Sequence, residues 1–324
     1  MEKFEYPLQY DEQMISWKHK RDVPKLDKSF AHRAAGAWRR FTRWFMYAIL
    51  LRFIAWPIVW WGLGAKVKGR KNFKKRKKEL KDGCVTICNH VHMWDAVLVL
   101  HGIRPNRVYF PTWQKNFVGP FKTHIQVVGG MPIPTSVEGK RKMYLEMHDE
   151  LAKGGWLHFF PEEGMWWYYD AVRPFKRGAF LFAVDHNKPI LPTVVNYRPA
   201  KGFRKIFRRG GPYLTLHIGD PIYPDNSIES RHYRIADLLE RSREAMHQLG
   251  GFTRRIEQTA THRDEADEEL LQVTVSKHTR RDLKVGNYIN GDDSVANTSA
   301  RIINSEENYT DSDNNKDIHE VDIS

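Results

Sequence analysis

The chain has few cysteines: its 324 residues include only Cys84 and Cys88. Side chains alternate between the two faces of a strand, so both thiols lie on one face of the apolar run "CVTIC", at about twice the reach of a disulfide. The sequence also has no second Cys or His pair at the spacing of a zinc site. A disulfide framework and a cysteine zinc site are therefore excluded, and we predict two buried thiols in a reducing compartment.

Acidic residues are scarce over most of the chain. Residues 1–253 carry 43 Lys and Arg against 23 Asp and Glu, a surplus of +20, whereas residues 254–324 carry 9 against 16. A basic body indicates an anionic partner: a nucleic acid, a membrane surface or a phosphorylated substrate. No basic and aromatic motif for stacking bases accompanies the charge, so we expect no nucleic-acid partner. The segment 252–324 has too little apolar content for a core and is predicted to be a disordered acidic tail.

One apolar run is long, but it is interrupted. The stretch "RWFMYAILLRFIAWPIVWWGLG" (residues 43–64) contains Arg52 near its middle and Pro57 soon after. Lys and Arg flank it on both sides, without the one-sided bias of a spanning helix. We therefore predict that residues 41–65 form a Pro-bent helical hairpin that dips into the membrane from the cytoplasmic face. A single span and a buried hairpin in a soluble core are the alternatives. Residues 1–40 are interpreted as a basic polar leader, with no secretory signal evident.

Short apolar runs alternate with helix-like stretches over residues 66–251. The predicted strands are 84–88, 107–110, 156–160, 190–195 and 212–222, and the predicted helices are 95–103, 136–154 and 228–250. The helix that starts after Ser136 has a typical N-cap residue, and a glycine stands at its end. Alternation of strands and helices at this spacing is typical of an α/β sandwich.

Polar residues directly follow the first of these strands, in "ICNHVHMWDAV" (87–97). His90 comes just after the strand, and Asp95 stands where the next helix begins. Across such a turn Asp95 can accept a hydrogen bond from one imidazole nitrogen and leave the other to take a proton from a hydroxyl. The same residues could also be metal ligands or ordinary polar loop residues. No further ligand pair supports a metal, so we expect none, and His92 is given no chemical role.

Four further blocks follow this pair in a fixed order. They are "VVGGMPIP" (127–134), "FFPEEG" (159–164), "RPFKRGAF" (173–180) and "PILPTVV" (189–195). In this combination the chain resembles the glycerolipid acyltransferase family, which includes the lysophosphatidic acid acyltransferases. The resemblance covers residues 65–225. It implies an α/β acyltransferase domain that follows an N-terminal membrane-associated hairpin in the sequence.

The resemblance also implies roles for individual residues. His90 would take the proton from an acceptor hydroxyl, and Asp95 would orient His90. The freed oxygen would attack an acyl thioester directly, with no acyl-enzyme. Glu162 matches an acidic position that helps to bind the polar head of the acceptor, and Asn89 matches the residue before the family histidine.

The family has two arginines in these blocks, and this chain has other residues at the matching positions. In the family an arginine holds the acceptor phosphate. Thr135 stands at the first position, and the third block continues as "EGMWWYYDAV" with no arginine before Arg173. A bidentate guanidinium is the usual means of holding a phosphate. Lys115, Lys176 and Arg177 are the predicted replacement cations for binding substrate. The aromatic run 166–169 predicts a lipid-facing lip, an interfacial anchor or a site for a bulkier, less charged acceptor.

The sequence therefore predicts an acyltransferase on the cytoplasmic face of the cell membrane. It would move a fatty acyl group from acyl-CoA or acyl carrier protein to a lipid hydroxyl, with 1-acylglycerol-3-phosphate as acceptor and phosphatidic acid as product. The expected partners are the phospholipid membrane, the lysolipid and the acyl donor, which is a co-substrate, so no cofactor is expected. The alternatives are a less charged lipid acceptor and a non-catalytic membrane-surface binding protein on the same fold.

Overall fold

The protein folds around one seven-stranded sheet. The computed structural model describes residues 6–7, 37–117, 122–201 and 211–256. The strands are β1 (Lys66–Lys68), β2 (Cys84–Cys88), β3 (Val108–Thr112), β4 (Gly130–Pro132), β5 (Trp156–Phe159), β6 (Ile190–Arg198) and β7 (Tyr213–Ile218). Their order is β1-β7-β6-β2-β5-β3-β4, and only the β6–β7 pair is antiparallel.

The middle of the sheet is covered on both faces. All five residues of β2 are buried, and the strand pairs with β5 on one side and β6 on the other. A strand that is buried on both faces needs a continuous apolar run, which "CVTIC" supplies. Cys84 and Cys88 are free and buried, as predicted, and burial raises the pKa of each thiol well above its usual range.

Helices lie on both faces of the sheet. They are α1 (Ala37–Phe45), α2 (Trp56–Gly62), α3 (Arg70–Lys75), α4 (Asp95–Gly102), α5 (Lys122–Val127), α6 (Val137–Ala152), α7 (Gly178–Asp185) and α8 (Arg231–Gly250). A π-helix at Met46–Ala55 joins α1 to α2, and 3₁₀ turns lie at Arg76–Asp82 and Gln114–Phe117.

The direction of the crossovers assigns these helices to the two faces. The connection through α4 runs from β2 to β3, toward one end of the sheet, whereas those through α6 and α7 run toward the other end. Since parallel crossovers are right-handed, α4 lies on one face and α6 and α7 lie on the opposite face. Helix α8 packs against α7. Trp56 of α2 stacks on His101 of α4, so the N-terminal helices share the face of α4.

The predicted α/β sandwich is confirmed. Each predicted strand and helix has its counterpart in β2, β3, β5, β6, β7, α4, α6 and α8. The Ser136 hydroxyl caps α6 by accepting the main-chain N–H of Gly139 at 3.1 Å. The sequence pattern does not predict β1 and β4, because three residues are too few to show a period. The predicted leader lies largely, and the predicted acidic tail almost wholly, outside the described residues.

The structure corrects the predicted hairpin at residues 41–65. The segments α1, the π-helix and α2 form one helical run, because the backbone stays in the right-handed helical region at Phe45, Ala55 and Trp56. Pro57 lies in the first turn of α2, where the winding changes from π to α, and a proline is tolerated at that position. The helix Phe41–Gly62, with 22 residues, is long and apolar enough to cross a membrane, as are the core helices of some soluble proteins and signal sequences.

This helical run has two unlike sides. On one side, Arg43 donates to a main-chain carbonyl of β3 at 2.7 Å, and the Tyr47 hydroxyl donates to the main-chain carbonyl of Val128 at 2.6 Å. Leu51 and Val59 are buried on the same side, four and twelve residues after Tyr47. The other side, which we call the apolar side, is exposed and consists of Phe41, Trp44, Phe45, Phe53, Ile54, Ile58, Trp60 and Trp61.

Candidate active site

The carboxyl end of β2 is held in place by Asn89. Its side-chain amide donates to the carbonyl of Val195 at 2.9 Å, and its side-chain oxygen accepts the N–H of the same residue at 2.8 Å. The two bonds imitate a strand pair and extend the link between β2 and β6 by one residue. His90 follows directly, so its backbone leaves a rigid strand end.

Asp95 orients the imidazole of His90. Its Oδ2 lies 3.1 Å from Nδ1 of His90 and accepts the main-chain N–H groups of Val91 (2.7 Å) and His92 (2.8 Å). A carboxylate only accepts hydrogen bonds, so Nδ1 carries the proton and Nε2 is left as an acceptor. Asp95 is fully buried at the first position of α4, where the helix dipole favours a negative charge. The pair has the geometry of a general base and its orienting partner.

The ring of His90 remains accessible. Its side chain is 24% exposed, and one face of the imidazole stacks on Phe160 with centroids 4.2 Å apart. Phe160 comes directly after β5, which lies beside β2 and is parallel to it. The carboxyl ends of the two strands therefore meet at one edge of the sheet, and one edge of the imidazole can face a ligand.

Glu162 supports His90 through the backbone. Its Oε2 accepts the main-chain N–H of His90 at 3.1 Å and a guanidinium N–H of Arg173 at 2.9 Å, and its Oε1 accepts the main-chain N–H of Arg173 at 3.0 Å. The side chains of Glu162 and Arg173 are both fully buried. The predicted contact of Glu162 with an acceptor stays a prediction. This geometry gives the carboxylate another role, which is to tie the end of β2 to the loop after β5.

Arg173 is a residue that the sequence motifs did not assign to the site. Its guanidinium also donates to the carbonyl of Gly164 and lies over the ring of Trp166, 4.5 Å from the centroid. One signal could have identified it: a buried carboxylate needs a cation, and the motif prediction placed Glu162 in the site with no arginine before position 173.

The aromatic run 166–169 belongs mainly to the core. Trp166 and Tyr169 are 1% and 2% exposed, so they form neither a lipid-facing lip nor an open acceptor pocket. Main-chain N–H groups of Trp166 and Tyr168 donate to the carbonyls of His90 and Val91, each at 3.0 Å. These two hydrogen bonds therefore attach the aromatic run to the start of the turn between His90 and Asp95. This corrects the prediction for Trp166 and Tyr169, whereas Trp167 and Tyr168 are half-buried and their place in a lip, an anchor or an acceptor site stays a prediction.

His92 packs inside this loop. It is 4% exposed, its Nδ1 accepts the main-chain N–H of Trp94 at 3.2 Å, and its ring meets that of Trp167 edge to face. The structure thus places His92 in the packing of the loop, and its lack of a chemical role stays a prediction. Within the described ranges, no group of three or more His, Cys, Asp or Glu side chains has an arrangement that could hold a metal ion.

The predicted substrate-binding cations lie at the same edge of the sheet. Lys115 belongs to the 3₁₀ turn that follows β3, with its ammonium 4.5 Å from the ring centroid of Trp113. Lys176 and Arg177 directly precede α7, and the main-chain N–H of Lys176 donates to the carbonyl of Pro161 at 2.8 Å. The three cations lie at the same edge of the sheet as His90, because β2, β3 and β5 are parallel and their carboxyl ends lie next to one another.

Comparison with known proteins identifies the class of this domain. Residues 64–196 match the family model described as Acyltransferase, a range that includes His90, Asp95 and Glu162. The predicted resemblance to the glycerolipid acyltransferases is therefore confirmed over residues 64–196, at the level of a match to the acyltransferase family model. Among solved structures, the chain is similar to the 1-acyl-sn-glycerophosphate (LPA) acyltransferase PlsC from Thermotoga maritima, with 20% identity over 64% of this chain and 82% of that chain and a TM-score of 0.43. Comparison with curated proteins gives no match.

Proposed function

We propose that this protein transfers a fatty acyl group from acyl-CoA or acyl carrier protein to the hydroxyl of 1-acylglycerol-3-phosphate, giving phosphatidic acid. The observation that carries the proposal is the contact of 3.1 Å between His90 Nδ1 and the buried Oδ2 of Asp95, on a ring that is partly open to solvent. It leaves Nε2 as the proton acceptor that an unactivated hydroxyl needs.

The chemical step needs only these two residues and the two substrates. Nε2 of His90 takes the hydroxyl proton as the acceptor oxygen attacks the thioester carbonyl carbon. The tetrahedral intermediate collapses, the carbon–sulfur bond breaks, and the sulfur leaves with the proton that His90 had taken. Asp95 stabilises the transient imidazolium and keeps the ring in one orientation.

The cations at the sheet edge support a phosphorylated acceptor. Lys176 and Arg177 stand at the amino end of α7, where the helix dipole adds a partial positive charge. A less charged acceptor drew its support from the aromatic run 166–169, and the burial of Trp166 and Tyr169 weakens that alternative. We therefore assign the phosphate of the acceptor to Lys176 and Arg177, with Lys115 as a further contact.

The apolar side of the N-terminal helical run supports association with a membrane. Because Lys and Arg stand on both sides of residues 43–64, we assign the domain and both ends of the run to the cytoplasmic face of the cell membrane. In a variant without native cysteines, single cysteines at positions 38 and 70 should both react with a reagent that is added from the cytoplasmic side. Reaction from opposite sides would show a span instead.

An acyl-transfer assay with purified protein tests the proposed reaction. Acyl-CoA and acyl carrier protein donors would be combined with lysophosphatidic acid, other lysolipids and neutral lipid alcohols. We expect lysophosphatidic acid to be the best acceptor and His90→Ala to lower turnover by about 10²–10⁴-fold. His247→Ala on α8 is the matched control and should keep full activity. Full activity of His90→Ala would refute the mechanism, and inactive wild-type protein that still binds membranes would favour the non-catalytic binding protein.

A further inference from the structure

Three arginines lie around the carboxyl end of α4, away from His90: Arg70 and Arg104 bind its carbonyls, and Arg52 stands four residues before Trp56, which stacks on His101. Arg52 belongs to the π-helix, Arg70 begins α3 and Arg104 follows α4. Helix α4 has eight residues, so its last turn lies about 10 Å from Asp95 at its start, at a rise of roughly 1.5 Å per residue. The cluster is therefore separate from the site that holds the His90–Asp95 pair.

Two of these arginines bind main-chain carbonyls at and just after the end of α4, where the helix supplies no further N–H partners. Arg70 donates to the carbonyls of His101 (2.7 Å), Gly102 (3.0 Å) and Arg104 (3.1 Å), and Arg104 donates to that of His101 (2.8 Å). A helix end carries only about half of a negative charge, so these contacts leave most of the positive charge uncompensated. Arg52 adds a third cation, with its guanidinium 5.2 Å from the ring centroid of Phe53.

The three charges repel one another. Burial, and then the charges of Arg70 and Arg52, lower the pKa of Arg104 to about 10, and burial and Arg52 lower the pKa of Arg70. The same cations, after burial, hold the pKa of His101 at about 3, so this ring stays neutral and stacks on Trp56 with centroids 3.5 Å apart. Within the part of the chain that the structure describes, no Asp or Glu forms an ion pair with any of the three arginines.

The surface beside this cluster is apolar. Phe53, Ile54 and Ile58 are 59%, 51% and 57% exposed, and they lie on the same helical run as Arg52. A soluble anion would satisfy the arginines but would leave these side chains in water. A ligand with a phosphate joined to hydrocarbon chains would satisfy both.

We propose that Arg52, Arg70 and Arg104 bind the phosphate headgroup of an anionic phospholipid whose acyl chains lie along the apolar side of the N-terminal helical run. This site rests on the membrane association proposed above and names the class of lipid that the protein prefers. It is a docking site for the bilayer, separate from the acceptor site.

Binding to vesicles tests the proposal with Arg52→Gln, since Arg52 makes no hydrogen bond to the end of α4. The full-length protein would be mixed with vesicles of phosphatidylcholine alone and of phosphatidylcholine with phosphatidylglycerol, and the bound fraction measured by flotation. Loss of a charge-assisted contact should raise the dissociation constant on the mixed vesicles by roughly tenfold or more and leave that on phosphatidylcholine unchanged. The matched control is Arg141→Gln, which removes an exposed arginine from α6 on the opposite face and should change binding less than about twofold.

Three results would overturn the site. If Arg52→Gln binds mixed vesicles as wild type does, the preference for anionic lipid arises elsewhere on the basic surface. If inorganic phosphate displaces the protein from mixed vesicles and Arg52→Gln abolishes this competition, the cluster holds a soluble anion instead of a lipid. If wild type binds neither kind of vesicle, the membrane association fails together with the site, whereas the acyl-transfer assay still tests the proposed reaction independently.

Discussion

Replacement of Arg173 by Met should destabilise the protein strongly. The change keeps an unbranched apolar side chain but removes the guanidinium that contacts Glu162, a fully buried carboxylate with no second side-chain cation on it among the described residues. Breaking a buried ion pair from one side costs about 3–5 kcal/mol, because the remaining charge is left uncompensated. Total stability is about 5–15 kcal/mol, so this loss is a large part of it. For a domain of this size each kcal/mol corresponds to roughly 2–4 °C, and we expect Tm to fall by about 6–20 °C.

The assay is thermal unfolding of purified protein in one fixed detergent, followed by tryptophan fluorescence. In the double variant Glu162→Gln/Arg173→Met neither charge of this pair remains, so its loss of stability should be smaller than the sum of the two single losses. Arg177→Met, at a partly exposed position, is the matched control and should change the free energy of unfolding by about 0.5 kcal/mol or less. A Tm of Arg173→Met within about 2 °C of wild type, or strictly additive losses in the double variant, would show that Arg173 does not compensate the buried charge of Glu162.

Three other predictions follow from the site and the core. Asp95→Asn should lower kcat by about 10²–10⁴-fold with little change in KM for the acyl donor, because the tautomer of His90 is no longer fixed; steady-state kinetics decide this. Lys176→Ala/Arg177→Ala should raise KM for lysophosphatidic acid about ten- to a hundredfold and leave that for a neutral acceptor unchanged, and equal KM values in both proteins would defeat the phosphate assignment. Burial and the charge of His90 lower the pKa of His158 to about 3, below the value of about 6.5 in an unfolded chain. Its contribution to stability should therefore be complete above pH of about 6.5 and be lost as the pH falls toward 3, and His158→Phe should flatten that decline in Tm.

Local features of the site were predictable because short stretches of chain determine them. His90 and Asp95 are five residues apart, and one strand-to-helix turn is enough to bring the carboxylate to Nδ1. The strand β2 agrees with its predicted bounds because a central parallel strand is marked by a continuous apolar run. The start of α6 was also predictable from local sequence, since the Ser136 cap involves only the next three residues.

Features that depend on contacts between distant segments were not predictable from the sequence. Glu162 and Arg173 pair because the loop that carries them folds back against the end of β2. The residues next to either partner in sequence do not predict this course of the loop. Composition could not tell whether Trp166 and Tyr169 face lipid or the core, because an aromatic ring suits both. Pro57 and the charge pattern predicted a hairpin. The structure instead has one continuous helical run, which is held against the sheet by the hydrogen bond from Arg43 to β3, far away in sequence. Burial and pairing between segments far apart in sequence are set by the packing of the whole domain, and so the sequence alone predicted the contact of His90 with Asp95 but not the surrounding residues that hold the two in place.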